Sequence, residues 1–274
     1  METGMADFGV ESDVSGRDGE YTATLSESWE IWGPQGGYVA AIALRAAGVE
    51  SAFPRPASFV CHYLRPAAGG LVEIRVETLR RAKRAESLRV TVLQNDGPVL
   101  DGLVWTVAQL DGVDHDAATM PEVRPAEEVE PLDVQRWDAL FPHPFWRNFD
   151  LHPVAPRPEE WTTGAREPRG LVWARFRERP PLEDPFVDAG RMLTVVDAFM
   201  FPAATFAHDD LFPYIAPSLD LAMSFHARGT GSEWLLIDAY SPVSGGAVVG
   251  GQASIWSAEG RLLASAMQQM LQRT

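Results

Sequence analysis

The sequence predicts an α+β fold of two tandem units, each a single helix wrapped by an antiparallel sheet. Three observations carry this. First, one order of elements occurs twice: an apolar helical run (36–44, then 192–200) leads into an alternating strand (58–64, then 218–226). Second, 21 residues separate Gly37 from Ser58, and 21 separate Asp197 from Ser218. Third, each half ends in a strand hairpin, turning at Asn95-Asp96-Gly97 and at Ala258-Glu259-Gly260. Self-similarity of this length reads as two copies of one unit facing each other.

Residues 1 to about 18 are polar and read as a frayed start. Residues 21–25 read as a strand, and Trp32 to Gly37 as a turn with a helix starting near Gly36. That helix is apolar on nearly every face, as a buried helix is. Strands follow at 72–78, 88–93 and 99–107, the last two joined by the Asn-Asp-Gly hairpin. Residues 111–185 hold 12 of the 21 prolines and read as a connection crossing the molecule. Its aromatic stretch, 141–146, is expected to pack on the body. Residues 171–176 open the second copy, followed by a helix at 187–206 and strands at 218–226, 234–240, 247–256 and 261–271. In 218–226, Leu219, Leu221, Met223 and Phe225 share one face, and Ser218, Asp220, Ala222, Ser224 and His226 the other. Gly245-Gly246 and Gly250-Gly251 read as strand bulges. The units fall at 1–110 and 170–274, with the connection at 111–169. A helix wrapped by an antiparallel sheet, present twice, is the double hotdog architecture.

Composition narrows the function. A net charge of −15, from 23 basic and 38 acidic residues, argues against a nucleic-acid partner. No apolar stretch approaches the roughly 20 residues of a membrane helix, and residues 1–10 lack a signal-peptide pattern. The single cysteine, Cys61, cannot form an intrachain disulfide, which fits a reducing cytoplasm. There is no G-x-S-x-G elbow and no C-x-x-C, and the six histidines show no metal-ligand spacing.

Four segments carry a resemblance: Trp32-Gly33-Pro34-Gln35-Gly36-Gly37-Tyr38, Tyr63-Leu64-Arg65-Pro66, Val76-Glu77-Thr78-Leu79-Arg80, and residues 218–226. In order and spacing they resemble the thioesterase II (TesB-like) acyl-CoA thioesterases, over roughly 20–110 and 170–273. The resemblance implies a double hotdog hydrolase of lipid metabolism that splits acyl-CoA into free acid and coenzyme A. It implies no cofactor, since coenzyme A belongs to the substrate, and a homodimer or tetramer. In that family an Asp of the second helix, a Thr opening the next strand and a Gln of the last strand hold the hydrolytic water. The matching positions are Asp197, Ser218 and Gln268. Ser218 departs from the pattern, keeping the hydroxyl and losing a methyl, and Gln269 is out of phase.

The residues themselves support part of this. Asp197 lies among Val195, Val196, Ala198, Phe199, Met200 and Phe201, where an ionised carboxylate is costly unless hydrogen-bonded or functional. Holding a water, it could act as general base toward a thioester; bonding a nearby backbone group or Arg, it would be structural. Ser218 follows Pro217, and its hydroxyl could reach Asp197 or the water, although the pleat turns it away from the helix unless a bulge intervenes. Gln268, among small apolar neighbours, needs a partner.

Aligning the hairpin turns sets Trp105 opposite Gln268, Gly37 opposite Asp197 and Ser58 opposite Ser218. One site per chain follows, built mostly by the second copy. Gly36 and Gly37 either offer backbone N–H groups to a developing oxyanion or form a plain helix-start turn. Within the basic stretch 75–89, Arg80, Arg81, Lys83 and Arg84 either meet coenzyme A phosphates or form a solvated hairpin. Two other functions stay open. One is a non-catalytic acyl-CoA-binding module. The other is an enoyl-CoA hydratase-like enzyme, which would use an Asp/His pair for which His62 and His226 offer no context.

Overall fold

The computed structural model of the protein describes residues 6–95, 97–133, 142–178, 183–229 and 231–273. Asp96 of the first hairpin turn and Phe141 of the aromatic stretch lie outside them. The first half runs α1 (Phe8–Glu11), β1 (Ser15–Arg17), β2 (Glu20–Leu25), α2 (Gly36–Glu50), β3 (Arg55–Tyr63), β4 (Gly70–Arg81), β5 (Ala85–Gln94) and β6 (Gly97–Val107). The second runs β7 (Phe149–Ala155), β8 (Arg169–Phe176), α3 (Pro185–Thr205), β9 (Asp220–Phe225), β10 (Leu235–Tyr240), β11 (Ser244–Gly245), β12 (Val248–Ser257) and β13 (Leu262–Leu271). The strands form one antiparallel sheet in the order β1-β2-β4-β5-β6-β3-β9-β13-β12-β10-β8-β7, with β11 on β12.

Two hotdog units joined edge to edge give this order. The seam is β3 against β9, where Phe59 pairs with Met223 and Cys61 with Leu221. Both helices lie against the inner face of the sheet and against each other. α2 buries residues on every side, from Tyr38 to Ala47, because it is enclosed by α3 and five strands. Alternation does the same for the strands: on β5, Leu88, Val90 and Val92 point inward.

The helices approach through glycines. A Cβ on Gly37 would lie 2.3 Å from the Leu193 carbonyl oxygen, and one on Gly48 2.4 Å from the Phe186 ring. The second residue of each helix thus meets the thirteenth of the other: Gly37 of α2 with Asp197 of α3, and Phe186 of α3 with Gly48 of α2.

That relation corrects the internal alignment. The equivalent of Asp197 is Gly48, not Gly37, and the equal 21-residue spacing is a coincidence. α3 is six residues longer than α2 (21 against 15), and a longer loop follows it. Trp105 is likewise not the counterpart of Gln268: it is 43 % exposed on the outer face, whereas Gln268 is 2 % exposed. Buried Val104 has the matching phase, because bulges at Val92/Leu93 and at Ile255/Trp256 shift the two hairpins differently.

Two other expectations change, and one holds. The start of the chain is not frayed throughout. Asp7 caps α1 through Gly9 and Val10 N–H, and Phe8 is fully buried edge-on to Trp29. The aromatic stretch of the proline-rich connection packs on the body as expected, with Phe145 against Trp29 and Phe149, and the connection also supplies β7, the edge strand beside β8. The glycine pairs are not bulges. Gly245 ends β11 paired with Val248, and Gly246 with Ala247 forms the tight turn into β12, at φ +59° and +64°. Gly250 and Gly251 stay in register with Gln269 and Gln268, and Gly251 leaves room for Met200.

Candidate active site

The second half of α3 carries Asp197 to the point where α2 begins. Both carboxylate oxygens receive two donors. Oδ2 accepts from Gln35 Nε2 at 2.6 Å and from Gly37 N–H at 2.9 Å. Oδ1 accepts from Ser218 Oγ at 2.8 Å and from Gln268 Nε2. Gln268 Nε2 also donates to Ser218 Oγ at 2.7 Å. One carboxylate thus joins both units: its first oxygen belongs to β13 and the loop before β9, its second to the start of α2.

Local structure explains each placement. Gln35 is the N-cap of α2, and its Oε1 accepts from Tyr38 N–H at 2.7 Å. That bond fixes the amide and turns its Nε2 toward Asp197. Ser218 lies ahead of β9, not within it, and forms a single bridge to Met270. The pleat of β9 therefore does not govern it, and its hydroxyl turns inward. Gln268 faces inward from β13 among Ala266 and Met270. Burial pushes the Asp197 carboxyl above the usual carboxylate range, against its bonds from Ser218, Gly37 and Gln268, which lower it.

Asp197 and Ser218 line a cleft of about 720 Å³ between the two halves. Its walls include Trp32, Tyr63, Trp146, Phe201, Phe212 and Ile215, with Arg65 and Arg273 among its basic residues. That volume suits an organic ligand with a few fixed polar contacts. The connection contributes His143 and Trp146, and burial lowers the His143 pKa, which favours the neutral ring.

The structure thus brings Asp197, Ser218, Gln268, Gly36 and Gly37 together. It separates the two glycines by role. Gly37 N–H is committed to Asp197, while Gly36 N–H, among the described residues, donates to no protein acceptor and borders the cleft. Arg80, Arg81, Lys83 and Arg84 are not at the cleft. They occupy the β4–β5 hairpin, level with Arg55 at the far end of β3, about 26 Å along the strand from Tyr63. Arg81 is bound at 2.5 Å to the fully buried Glu86. Gln35 was missed in the sequence; the available signal was an amide immediately before a helix-opening glycine pair.

Known families match this chain in both halves. A model of the acyl-CoA thioesterase C-terminal domain matches residues 121–272, and one of the N-terminal domain matches residues 25–107. The chain belongs to the acyl-CoA thioesterase family. As a member it is a thioester hydrolase with a double hotdog fold. No curated protein matches the sequence. Among solved structures it is similar to a hot dog fold protein of Alicyclobacillus acidocaldarius, with 19 % identity, a TM-score of 0.85, and 97 % of this chain and 98 % of that one covered. It is also similar to the acyl-CoA thioesterase II TesB2 of Mycobacterium marinum, with 23 % identity, a TM-score of 0.78, and 97 % and 98 % covered. A tesB protein of Mycobacterium avium subspecies paratuberculosis aligns at 21 % identity and a TM-score of 0.79, covering 99 % and 100 %. At these identities the neighbours speak for the fold. Among the described residues of this thioesterase, no helix is long and apolar enough to cross a membrane.

Proposed function

We propose that this thioesterase hydrolyses acyl-CoA with a water activated by Asp197. The observation that carries the reading is the buried carboxylate at the cleft floor, held by donors from both halves and raised above its usual pKa. A raised pKa makes Asp197 a better proton acceptor. Both its oxygens already have two donors, so a water must take the place of one. Ser218 holds the donor that can rotate away, and Gln268 Oε1 is a buried acceptor with no protein partner among the described residues. A water donating one hydrogen to Gln268 Oε1 and the other to Asp197 Oδ1 satisfies both.

In the reaction the water oxygen bonds to the thioester carbon, its proton passes to Asp197, and the carbonyl π electrons move to oxygen. Collapse of the intermediate breaks the C–S bond. The proton on Asp197 passes to the departing sulfur, giving free acid and coenzyme A thiol. Atoms balance with substrate and water alone. Gly36 N–H stands where a helix start stabilises the oxyanion. Coenzyme A phosphates meet Arg65 and Arg273 at the cleft, in place of the distant hairpin.

A panel of acyl-CoA and enoyl-CoA esters, followed by thiol detection, tests the reading. Thiol release from saturated acyl-CoA is expected. Tight binding without thiol release would make the chain a binding module. Hydration of enoyl-CoA without thiol release would make it a hydratase.

A further inference from the structure

Tyr63 closes β3, the seam strand of the first half, and has no part in the scheme above. Its ring lies against Gly36. A Cβ on Gly36 would come within 3.1 Å of Tyr63 Cζ and 2.9 Å of Asp197 Oδ2. The phenol and the carboxylate therefore flank one small space, open because residue 36 has no side chain. The Tyr63 hydroxyl is buried; its neighbour is the Cys61 thiol, a weak acceptor, and among the described residues no oxygen or nitrogen accepts from it. Burying a hydroxyl with only a weak sulfur partner is unfavourable, and Phe would fill the same ring volume without that cost. Packing alone does not explain the hydroxyl.

Gln268 Oε1 is a buried acceptor at this floor with no partner among the described residues. The two are complementary: the phenol needs an acceptor and the amide oxygen needs a donor. The two reactants of a thioester hydrolysis have those characters. A thioester carbonyl oxygen only accepts, and a water donates. Desolvation, and then the nearby Asp197 charge, hold the Tyr63 phenol well above its ordinary pKa, so it keeps its proton and remains a donor.

Resting on the thioester reading, we propose that Tyr63 is a further catalytic residue: its hydroxyl donates to the thioester carbonyl oxygen opposite the attacking water. As the water bonds to carbon and the π electrons move to oxygen, that hydrogen bond becomes charge-assisted and strengthens. On collapse the electrons return and the C–S bond breaks. Tyr63 keeps its proton throughout and transfers none. Gly36 N–H is the second donor to the same oxygen, and the two come from adjoining elements of the first half. The N-terminal unit thus supplies the electrophilic side of the site, and α3, Ser218 and Gln268 the basic side.

The test is Tyr63→Phe, in two measurements. In turnover, loss of one oxyanion donor is expected to lower kcat about 10²-fold with KM within a few-fold. The thermal transition should barely move, because the removed hydroxyl had only the weak Cys61 thiol as partner. A kcat within threefold of wild type would overturn the assignment. The second measurement is calorimetric binding of two non-hydrolysable probes, an S-(2-oxoalkyl)-CoA ketone and the matching S-alkyl-CoA thioether. Wild type should prefer the ketone, and Tyr63→Phe should lose about tenfold of that preference. If wild type releases no thiol from any acyl-CoA, the thioesterase reading fails, and the probes alone decide Tyr63. An unchanged ketone preference in the variant would then overturn its role.

Discussion

Phe186 seats its ring on Gly48, and this contact is the pseudo-symmetric counterpart of Gly37 against Asp197. The two helices cross so that each offers its second residue to the other's thirteenth. At one crossing a small residue meets a carboxylate that gathers four donors. At the other an aromatic ring fills the same place and the facing residue is a glycine. The duplicated fold therefore makes two crossings and one polar site.

Alanine substitutions at three glycines should separate packing from chemistry. At Gly37 and Gly48 the added Cβ meets Leu193 backbone at 2.3 Å or the Phe186 ring at 2.4 Å. Overpacking of this kind costs about 1–3 kcal/mol, so both variants should lower the denaturation midpoint. At Gly36 the Cβ meets the Asp197 carboxylate and the Tyr63 ring, both side chains at the cleft floor. Gly36→Ala should lose turnover and keep most stability. Equal stability losses in all three would mean that Gly36 is only a packing residue.

Gln35 binds Asp197 Oδ2 from the first half, so Gln35→Glu should place a second carboxylate beside the first. Like charges at this distance raise the pKa of one member. The acid limb of kcat/KM in wild type should already lie above pH 3.8, the ordinary carboxylate value, because Asp197 is raised by burial. Gln35→Glu should move it higher still. The same raised pKa has a stability consequence. Folded Asp197 holds its proton more tightly than the unfolded chain does, so its contribution to stability is complete below about pH 3.8 and declines as pH rises through the folded value. Denaturation against pH should show this decline in wild type and lose it in Asp197→Asn. An acid limb unmoved by Gln35→Glu would detach Gln35 from the reacting carboxylate.

The arginines offer a paired comparison. Arg65→Gln and Arg273→Gln, at the cleft, should raise KM for acyl-CoA and flatten its salt dependence with kcat nearly unchanged. Arg80→Gln with Lys83→Gln, at the far hairpin, should leave KM as it is. The opposite pattern would assign the phosphates to the hairpin.

Periodicity and hairpin chemistry made the helices, most strands and the edge-to-edge pairing legible, since an all-apolar run and a period-two run leave few alternatives for 36–44 or 219–225. Asp197 and Gln268 were legible for a related reason: a polar side chain inside an apolar pattern needs partners. What failed was register. Trp105 was set opposite Gln268 because bulges at Val92/Leu93 and Ile255/Trp256 have no clear residue signature. Gly37 was set opposite Asp197 because the longer α3 and its loop happened to reproduce one spacing. Ser218 looked outward because strand phase was extended two residues beyond the start of β9. Gln35 and Tyr63 went unnoticed because their roles depend on contacts between halves, such as Gln35 with a residue 162 positions away, and local pattern carries no trace of those.

The most direct measurement is the turnover of purified Asp197→Asn beside its thermal transition. Asn fits the space, and the network can absorb its amide: Ser218 Oγ can accept in place of donating, and Gln268 can turn its unpartnered Oε1 toward the new N–H. The fold should survive. Asn cannot take a proton from water, so hydrolysis should drop about 10²–10⁴-fold. Adding Ser218→Ala or Gln268→Ala should then cost little more, since residues acting as a unit fail together. A folded Asp197→Asn that hydrolyses acyl-CoA within a few-fold of wild type would make Asp197 a structural clamp between the halves and remove it from the chemistry.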